Sequence, residues 1–152
     1  MKIREAQSDR DVLERLIRMS EQWEAENSCH GYRANREEDI AGNRIFVAED
    51  EGKIIGYLFG HSAGSEKQTS IIPDGTPCFE IMEIYVEKEY RSRGIGRKLF
   101  AFVQDCIEDE YITLSTATRD WKAILHFYIE ELDMSFHSAR LFKRIKKDGV
   151  SR

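Results

Sequence analysis

The sequence has few prolines and cysteines and no long hydrophobic run. Its two prolines, Pro73 and Pro77, lie in one polar stretch, so no proline-rich linker divides the chain. The three cysteines are widely spaced and form no CxxC or Cys/His pattern, which argues against a disulfide framework and against a zinc site. No segment approaches the roughly 18 apolar residues of a membrane-spanning helix, and the first residues lack the apolar core of a signal peptide. We therefore expect a cytoplasmic protein with reduced thiols, no metal and no membrane contact.

The composition that remains is that of a folded domain. Of the 152 residues, 41% are hydrophobic and 34% are charged, which predicts a single domain over residues 1–152. The 23 Lys and Arg residues against 28 Asp and Glu give a net charge of −5. This acidic balance disfavours nucleic acid as a partner, although a local group of cations can still bind an anion.

Hydrophobic periodicity predicts alternating strands and helices. Strands are expected at 2–6, in a hairpin at 44–49 and 53–61, and at 78–87 and 111–118; helices are expected at 9–26, 36–41, from Gly94 onward and at 119–132. Residues 136–146 are predicted to close the chain as one or two strands. The fold class is therefore α/β (α+β), with a mixed central sheet of six or seven strands and about four helices. Gly56 and Gly60 lie inside a predicted strand, which indicates a bulge or close packing.

The strongest local signal is the turn between the strand at 78–87 and the next helix. Its sequence, RSRGIG, places two glycines where the backbone can approach a ligand closely. The first amides of a helix lack internal partners and favour a phosphate, as does the helix dipole. Four cations lie within eight residues of this acidic chain: Arg91, Arg93, Arg97 and Lys98. The pattern predicts a polyanion at the start of this helix.

Two common phosphate-binding motifs do not match this turn. GxxxxGK[ST] is absent, and GxGxxG fails because no third glycine follows Gly96. The turn instead fits [R/Q]xxGxG after a strand ending in Tyr-Val. The stretch YVEKEYRSRGIGRKLF resembles motif A of the GNAT superfamily of N-acetyltransferases, and the order of elements resembles that family over nearly the whole chain. A solvated glycine turn, the alternative interpretation, leaves the grouped cations unexplained.

The resemblance implies acetyl-CoA as co-substrate and an acetyl transfer to a primary amine by direct attack in a ternary complex. It places the pantetheine arm along the backbone of Ile84, Tyr85 and Val86. It places the pyrophosphate on the turn amides, with two further cations close behind; the residues concerned are Arg91, Ser92, Arg93, Gly94, Ile95, Gly96, Arg97 and Lys98. Backbone contacts make most of these side chains replaceable, but not the glycines.

The resemblance also suggests a general acid on the last helix. Many members carry a pattern like NxxAxxFYxxxGF, whose Tyr lies near the CoA sulfur. Here Phe127-Tyr128 matches the FY pair, which makes Tyr128 the candidate acid; the alternative is a core tyrosine. The spacing from Asp120 is one residue longer than in the pattern, and Asp133 stands where glycine is expected.

Two glutamates on the strand before the turn are candidates for the general base, Glu80 and Glu83. The resemblance gives precedents for both positions, and a water chain without a single base is the third alternative. Period-two alternation places the two on opposite faces of the sheet unless a bulge intervenes. A partner for a nearby Arg or Lys is the structural alternative for either carboxylate.

The resemblance places the acceptor site among the first helices, the loop before the strand at 78–87 and the C-terminal strands. Acidic and aromatic residues there suit a small cationic amine or a peptide amine, although acidic helix faces are also commonly just solvated; they are Glu21, Trp23, Glu24, Glu26, Glu37, Glu38, Asp39 and Asp74. A loop carrying Cys29, His30 and Tyr32 is a further candidate lining. Acetylation of protein N-termini or lysines, or a catalytically silent acetyl-CoA-binding regulator, remain alternative functions. The resemblance also leaves open a homodimer through the last strands.

Overall fold

The computed structural model describes residues 1–65 and 71–146, which form one mixed five-stranded sheet. Its strands lie in chain order: β1 (Lys2–Ala6), β2 (Arg44–Asp50), β3 (Lys53–Gly64), β4 (Pro77–Val86) and β5 (Tyr111–Leu114). The first four strands pair antiparallel, and β5 pairs parallel with β4. A parallel pair needs a crossover connection, and the helix that follows the glycine turn supplies it.

The helices are α1 (Arg10–Glu26), α2 (Glu37–Ile40), α3 (Ile95–Cys106) and α4 (Trp121–Leu125). A 3-10 turn covers Lys88–Tyr90, and a π-helix, His126–Glu131, continues α4. The first helix begins with a side-chain cap, because the side chain of Asp9 accepts a hydrogen bond from the amide of Val12. The predicted number of about four α-helices therefore agrees with the described part of the chain.

The two faces of the sheet carry separate cores. On one face, α1 and α2 cover a cluster that includes Leu16, Met19, Tyr57 and Phe59. On the other face, α3 covers a cluster of residues that includes Phe46, Phe79, Leu99 and Val103. Alternate residues of each central strand therefore face different helices, as period-two side-chain alternation requires.

A β-bulge interrupts the pairing of β3 with β4. Phe59 pairs with Glu83 and Gly60 pairs with Ile81, so Met82 is the extra residue on β4. A Cβ at Gly60 would overlap the carbonyl oxygen of Glu80 and lie 3.0 Å from the Cα of Ile81. The glycine is required here because the two backbones approach too closely for any side chain. The expectation that Gly60 marks a bulge is confirmed.

β4 and β5 separate part of the way along β4. Their pairing covers only Cys78–Ile81 against Tyr111–Leu114, so β5 is shorter than the predicted strand at 111–118. After β5 the chain turns toward the segment that follows α1 in the sequence. There Cys29 forms an isolated β-bridge with Thr118. Along Met82–Val86, the described residues supply no strand on the side of β4 opposite β3. This edge carries Ile84, Tyr85 and Val86, along which the family resemblance implies the pantetheine arm.

The predicted sheet of six or seven strands is wrong for the described chain, which has five strands. Residues 136–146, predicted as one or two strands, adopt no regular secondary structure. Their large apolar side chains do not fall at every second position, as a strand with one buried face requires. Within the described residues, no edge of the sheet pairs with this segment. They are strongly exposed instead: Phe136, Leu141, Phe142 and Ile145.

A buried carboxylate fixes the end of β4 against α1. Glu87 forms an ion pair with Arg15 of α1, and the Nζ of Lys53 lies 3.4 Å from its other oxygen. Arg15 also donates to the carbonyl of Ile54 at 2.8 Å. A buried charge with this many partners holds the strand end in place, directly before the glycine turn.

Over residues 1–65 and 71–146, no helix has the length and apolar character needed to cross a membrane.

Candidate active site

The carboxylate of Glu83 lies at the centre of a polar cluster on the α1 face of the sheet. Its Oε1 atom accepts hydrogen bonds from Asn35 Nδ2 at 2.8 Å, from the Tyr57 hydroxyl at 2.9 Å and from the Tyr32 hydroxyl at 3.2 Å. All three bonds reach the same oxygen. The other oxygen, Oε2, accepts no hydrogen bond from the described residues and belongs to a side chain that lines a pocket.

The environment of Glu83 raises its pKa above the usual value of a glutamate. Burial is the largest cause, because desolvation disfavours the charged form, and the negative charge of Asp39 acts in the same direction. The hydrogen bonds from Asn35, Tyr57 and Tyr32 oppose this by stabilising the carboxylate. Burial likewise raises the pKa of both tyrosines, so their hydroxyls remain protonated donors.

Glu80 has a different environment from Glu83. Its side chain is 51% exposed, and the Nε2 atom of His61 lies 3.9 Å from its Oε2 atom across the strand pair. The bulge at Met82 places both glutamates on the α1 face, since Glu80 pairs with His61 and Glu83 pairs with Phe59. The expectation of opposite faces, which simple alternation gives, does not apply because a bulge intervenes.

The pocket beside Glu83 has a volume of about 340 Å³. Its wall combines the strand residues at the bulge with the segment that joins α1 to α2; the lining residues are Gly31, Arg33, Asn35, Asp39, Phe59, Met82 and Glu83. Two carboxylates and one guanidinium give this lining a net negative formal charge. The polar groups converge at one side of a cavity whose size suits a small molecule.

The glycine turn forms a second polar site, at the start of α3. The α3 hydrogen-bond ladder begins with the amide of Lys98 donating to the carbonyl of Gly94, so the first amides of the helix have no intrahelical acceptor. Gly94, the N-cap, provides no side chain and has a φ of 77°; a Cβ there would meet nothing within 4 Å. Ser92 also has a positive φ, of 63°. Open space and uncapped amides fit a diphosphate.

The side chains of this turn divide into engaged and solvent-exposed groups. Arg91 donates to both carboxylate oxygens of Glu26, at 2.8 and 2.9 Å, and to the carbonyl of Val86 at 2.8 Å. Glu26 also accepts from the hydroxyl of Tyr85 at 2.8 Å. Arg91 therefore ties the turn to the end of α1. Arg93 lies over the ring of Tyr90, and the next two cations along α3 are exposed: Arg97 and Lys98.

The π-helix packs against the start of α3. A Cβ at Gly96 would lie 3.0 Å from the Cζ atom of Phe127, so this glycine makes room for an aromatic ring as well as for close backbone approach. The amide of Leu132 donates to the carbonyl of Phe127, a five-residue step. A π-turn contains one residue more than an α-turn, so the helix is locally wider over 126–131. Asp133 has a φ of 56°, a conformation that glycine adopts most readily.

Tyr128 lies next to Phe127, beside the segment that follows α1. Burial raises the pKa of its hydroxyl to about 12, and Cys29 contributes in the same direction. Within the described residues, this hydroxyl has no hydrogen-bond partner. Cys29 and Tyr32 are three residues apart, at most about 11 Å of chain. One short segment therefore connects the surroundings of Tyr128 with those of Glu83.

The remaining candidate residues have different environments. Asp39 lines the pocket, and Glu26 is engaged with Arg91, whereas the other acidic candidates are exposed: Glu21, Glu24, Glu37, Glu38 and Asp74. Trp23 stacks between Tyr32 and Tyr85, with ring centroids at 4.2 and 5.3 Å. Sequence reasoning missed Asn35 and Tyr57 as partners of Glu83. The bulge sets the strand register that brings Tyr57 to Glu83. In the sequence, the only signal for this bulge is Gly60.

The sheet opens beyond Ile81, the glycine turn lies at its open end, and a partly buried carboxylate lies on the bulged strand. This combination is typical of CoA-dependent acyltransferases. A family model described as the acetyltransferase (GNAT) domain matches residues 41–131. The chain belongs to this family and is an acetyl-CoA-dependent N-acetyltransferase. Residues 41–131 include the bulged strand, the turn and the π-helix. No curated protein matches the sequence.

Solved structures confirm the fold at low sequence identity. The F44R mutant of the BH1408 protein from Bacillus halodurans has a TM-score of 0.72 at 19% identity, covering 96% of this chain and 100% of that one. The aminoglycoside N-acetyltransferase AAC(6')-Iy, solved in complex with CoA, has a TM-score of 0.66 at 18% identity with the same coverage, 96% and 100%. A ribosomal-protein-alanine N-acetyltransferase from Brucella melitensis biovar Abortus 2308 has a TM-score of 0.67 at 15% identity, covering 95% and 100%.

Proposed function

We propose that the protein transfers the acetyl group of acetyl-CoA to the primary amine of a small cationic acceptor, by direct attack in a ternary complex. The observation that carries this proposal is Glu83. One of its carboxylate oxygens is held by three donors, and its side chain lines a pocket of about 340 Å³ at the bulge of β4. A base held at an acceptor-sized cavity, beside a free strand edge, is what amine acetylation requires.

The residues of the turn fit the diphosphate of acetyl-CoA. The amides from Ser92 to Gly96 lie around the uncapped start of α3, and the backbone of Ile84–Val86 lies on the free edge of β4. Arg97 and Lys98 add exposed positive charge next to these amides. Acetyl-CoA supplies an activated acetyl group as a thioester. Backbone amides of the turn bind the diphosphate of acetyl-CoA, and the guanidinium of Arg91 stabilises the turn through Glu26.

Glu83 takes the proton of the acceptor ammonium. An alkylammonium with a pKa near 10 has no free electron pair at neutral pH, so attack requires a base. Burial raises the pKa of Glu83 toward the range in which a carboxylate removes protons effectively. The neutral amine then forms the new C–N bond at the carbonyl carbon as the C–S bond breaks. The exposure of Glu80 and its contact with His61 favour Glu83 over Glu80 for this role.

Tyr128 donates a proton to the departing sulfur. A hydroxyl whose pKa is about 12 is protonated at neutral pH, and it has no competing hydrogen-bond acceptor among the described residues. Packing of Phe127 against Gly96 keeps this part of the π-helix beside the cofactor turn. As the amide forms, its nitrogen loses a second proton, which restores the proton that Tyr128 gave to the sulfur. Glu83 then releases the first proton to solvent, so ammonium and thioester become amide, thiol and one released proton.

The charge of the pocket supports a cationic acceptor. Asp39 and Glu83 contribute two negative charges against the single positive charge of Arg33. A small amine that carries further positive charge would gain from this field. A peptide amine is the second candidate acceptor, because the pocket is open and the Brucella melitensis structural neighbour is named as a ribosomal-protein-alanine acetyltransferase.

A thiol-release assay with acetyl-CoA tests the proposal. The panel should contain polyamines, aminoglycosides, simple alkylamines and peptides with free N-termini, with propionyl-CoA as a second donor. We expect turnover with at least one small polycationic amine and weaker turnover with a neutral monoamine of similar size. Turnover with peptides alone would assign the acceptor to the second class. Binding of acetyl-CoA, seen as a rise in Tm, without turnover of any amine would identify a silent regulator and refute the enzyme mechanism.

Replacement of the candidate acid gives a second test. We expect Tyr128→Phe to lower kcat by about 100-fold or more, with little change in the Kd of acetyl-CoA, because only proton donation is lost. Tyr111→Phe, on β5, removes a hydroxyl away from Phe127 and Gly96 and serves as control. Unchanged turnover in Tyr128→Phe, measured by the same assay, would remove this hydroxyl from the mechanism.

A further inference from the structure

We propose that Tyr57 is a positioning residue for acetyl transfer: its buried hydroxyl holds Oε1 of Glu83 so that Oε2 is available to the acceptor amine. The inference rests on the proposed function of Glu83 as the base. Tyr57 is not required to touch the substrate. It acts through the orientation and charge of the carboxylate.

The hydrogen bonds to Glu83 are strongly asymmetric. Three donors, from Tyr57, Asn35 and Tyr32, reach Oε1 within 2.8 to 3.2 Å. A carboxylate offers acceptor sites on both oxygens, yet within residues 1–65 and 71–146 no donor reaches Oε2. The arrangement fixes the rotation of the carboxylate and leaves one oxygen able to accept a proton. Among the described residues no buried side-chain oxygen lacks a hydrogen bond, so Oε2 is accessible rather than enclosed, on a side chain that lines the pocket.

Tyr57 is the most rigidly held of the three donors. It lies on the central strand β3, is fully buried, and contacts Phe59 and Tyr85 with ring centroids at 5.7 and 5.9 Å. Tyr32 and Asn35 belong instead to the segment between α1 and α2 and are half-buried. The sheet therefore provides one fixed donor, and the segment that lines the pocket provides the other two.

The charged groups around Glu83 come from several elements. Asp39 belongs to α2, and Arg33 belongs to the segment between α1 and α2. Glu80 and His61 lie on the same face of the β3–β4 strand pair as Glu83. Burial and Asp39 raise the pKa of Glu83, whereas the three donors lower it. Removing the hydroxyl of Tyr57 takes away one of the stabilising contributions. The pKa of Glu83 then rises, and a larger fraction of the enzyme carries a protonated, inactive base at a given pH.

The experiment is a pH profile of kcat and kcat/KM at saturating acetyl-CoA, with one amine acceptor used throughout. It compares the native protein with Tyr57→Phe, Glu83→Gln, the double variant, and Tyr111→Phe as a control for loss of a phenol hydroxyl elsewhere. We expect Tyr57→Phe to lower kcat by about 10- to 100-fold, the range for a hydrogen bond to a charged group. We also expect its acid limb to move to higher pH, while the KM of acetyl-CoA, measured in a separate titration at fixed acceptor, stays unchanged.

The double variant separates positioning from general loss of structure. If Tyr57 acts through Glu83, Tyr57→Phe has no further effect on kcat in the Glu83→Gln background. An equal loss in both backgrounds, or a native acid limb in Tyr57→Phe, would overturn the inference. Native turnover in Glu83→Gln would instead refute the proposed base and with it the premise.

A second variant keeps the test decisive if Tyr57→Phe does not fold. Tyr32→Phe removes the longest of the three hydrogen bonds, at 3.2 Å, from a half-buried position. We expect the acid limb of this variant to move in the same direction as in Tyr57→Phe, by a smaller amount. An acid limb that stays at its native pH in Tyr32→Phe would overturn the three-donor arrangement.

Discussion

Glu80 and Glu83 are three residues apart on one strand and on one face of the sheet, yet their surroundings differ in almost every respect. Glu80 is half in solvent, with His61 as its nearest titratable neighbour. Glu83 contacts Asn35, Tyr32 and Tyr57 and lines the pocket of about 340 Å³. The difference shows that residue type and strand position do not determine the environment of a carboxylate. The bulge and the segment between α1 and α2 determine it.

Neutralising each carboxylate in turn is the most direct test of whether Glu80 and Glu83 differ in function. We expect Glu83→Gln to lower kcat by about 100-fold or more, because general-base catalysis typically contributes at least that factor. Glu80→Gln should change kcat by no more than about threefold, as for an exposed side chain outside the mechanism. Steady-state kinetics with acetyl-CoA and one amine measure both. A large loss in Glu80→Gln would exchange the two roles.

The bulge itself can be tested with two glycines of β3. Gly60→Ala places a Cβ against the carbonyl of Glu80, so we expect it to lower the free energy of unfolding by about 3 kcal/mol and to reduce activity. Gly64→Ala is the matched control, since its Cβ would meet its nearest neighbour at 3.7 Å, an ordinary contact. Urea denaturation measures both free energies. Equal stability of the two variants would contradict the close approach at Gly60.

The smallest expected effect concerns the charge beside Glu83. Asp39→Asn removes a negative charge that raises the pKa of Glu83, so the pKa falls and the acid limb of kcat/KM moves to lower pH. Asparagine retains an acceptor for the amide of Arg36, which Asp39 caps at 2.8 Å. A pH profile with a single acceptor measures the change. A shift to higher pH would show that Asp39 acts on the site in some other way.

The sequence predicts local elements well and distant pairings poorly. The hairpin of β2 and β3 and the turn before α3 follow from nearby residues, and each is confirmed in the structure. The predicted strands at 136–146 are wrong in the described chain because strand formation depends on a paired edge elsewhere in the fold. For the same reason, the sequence does not predict that Asn35 and Tyr57 bind Glu83. Their contact with Glu83 requires the bulge and the path of the segment between α1 and α2.

The π-helix changes the spacing at which side chains share a face. In a regular α-helix, successive side chains are rotated by about 100°, so residues three or four apart face the same side. The hydrogen bond from Leu132 to Phe127 spans five residues, which makes this turn wider. A helical wheel drawn with the α-helical period over 126–131 would therefore misplace the side chains that follow Phe127.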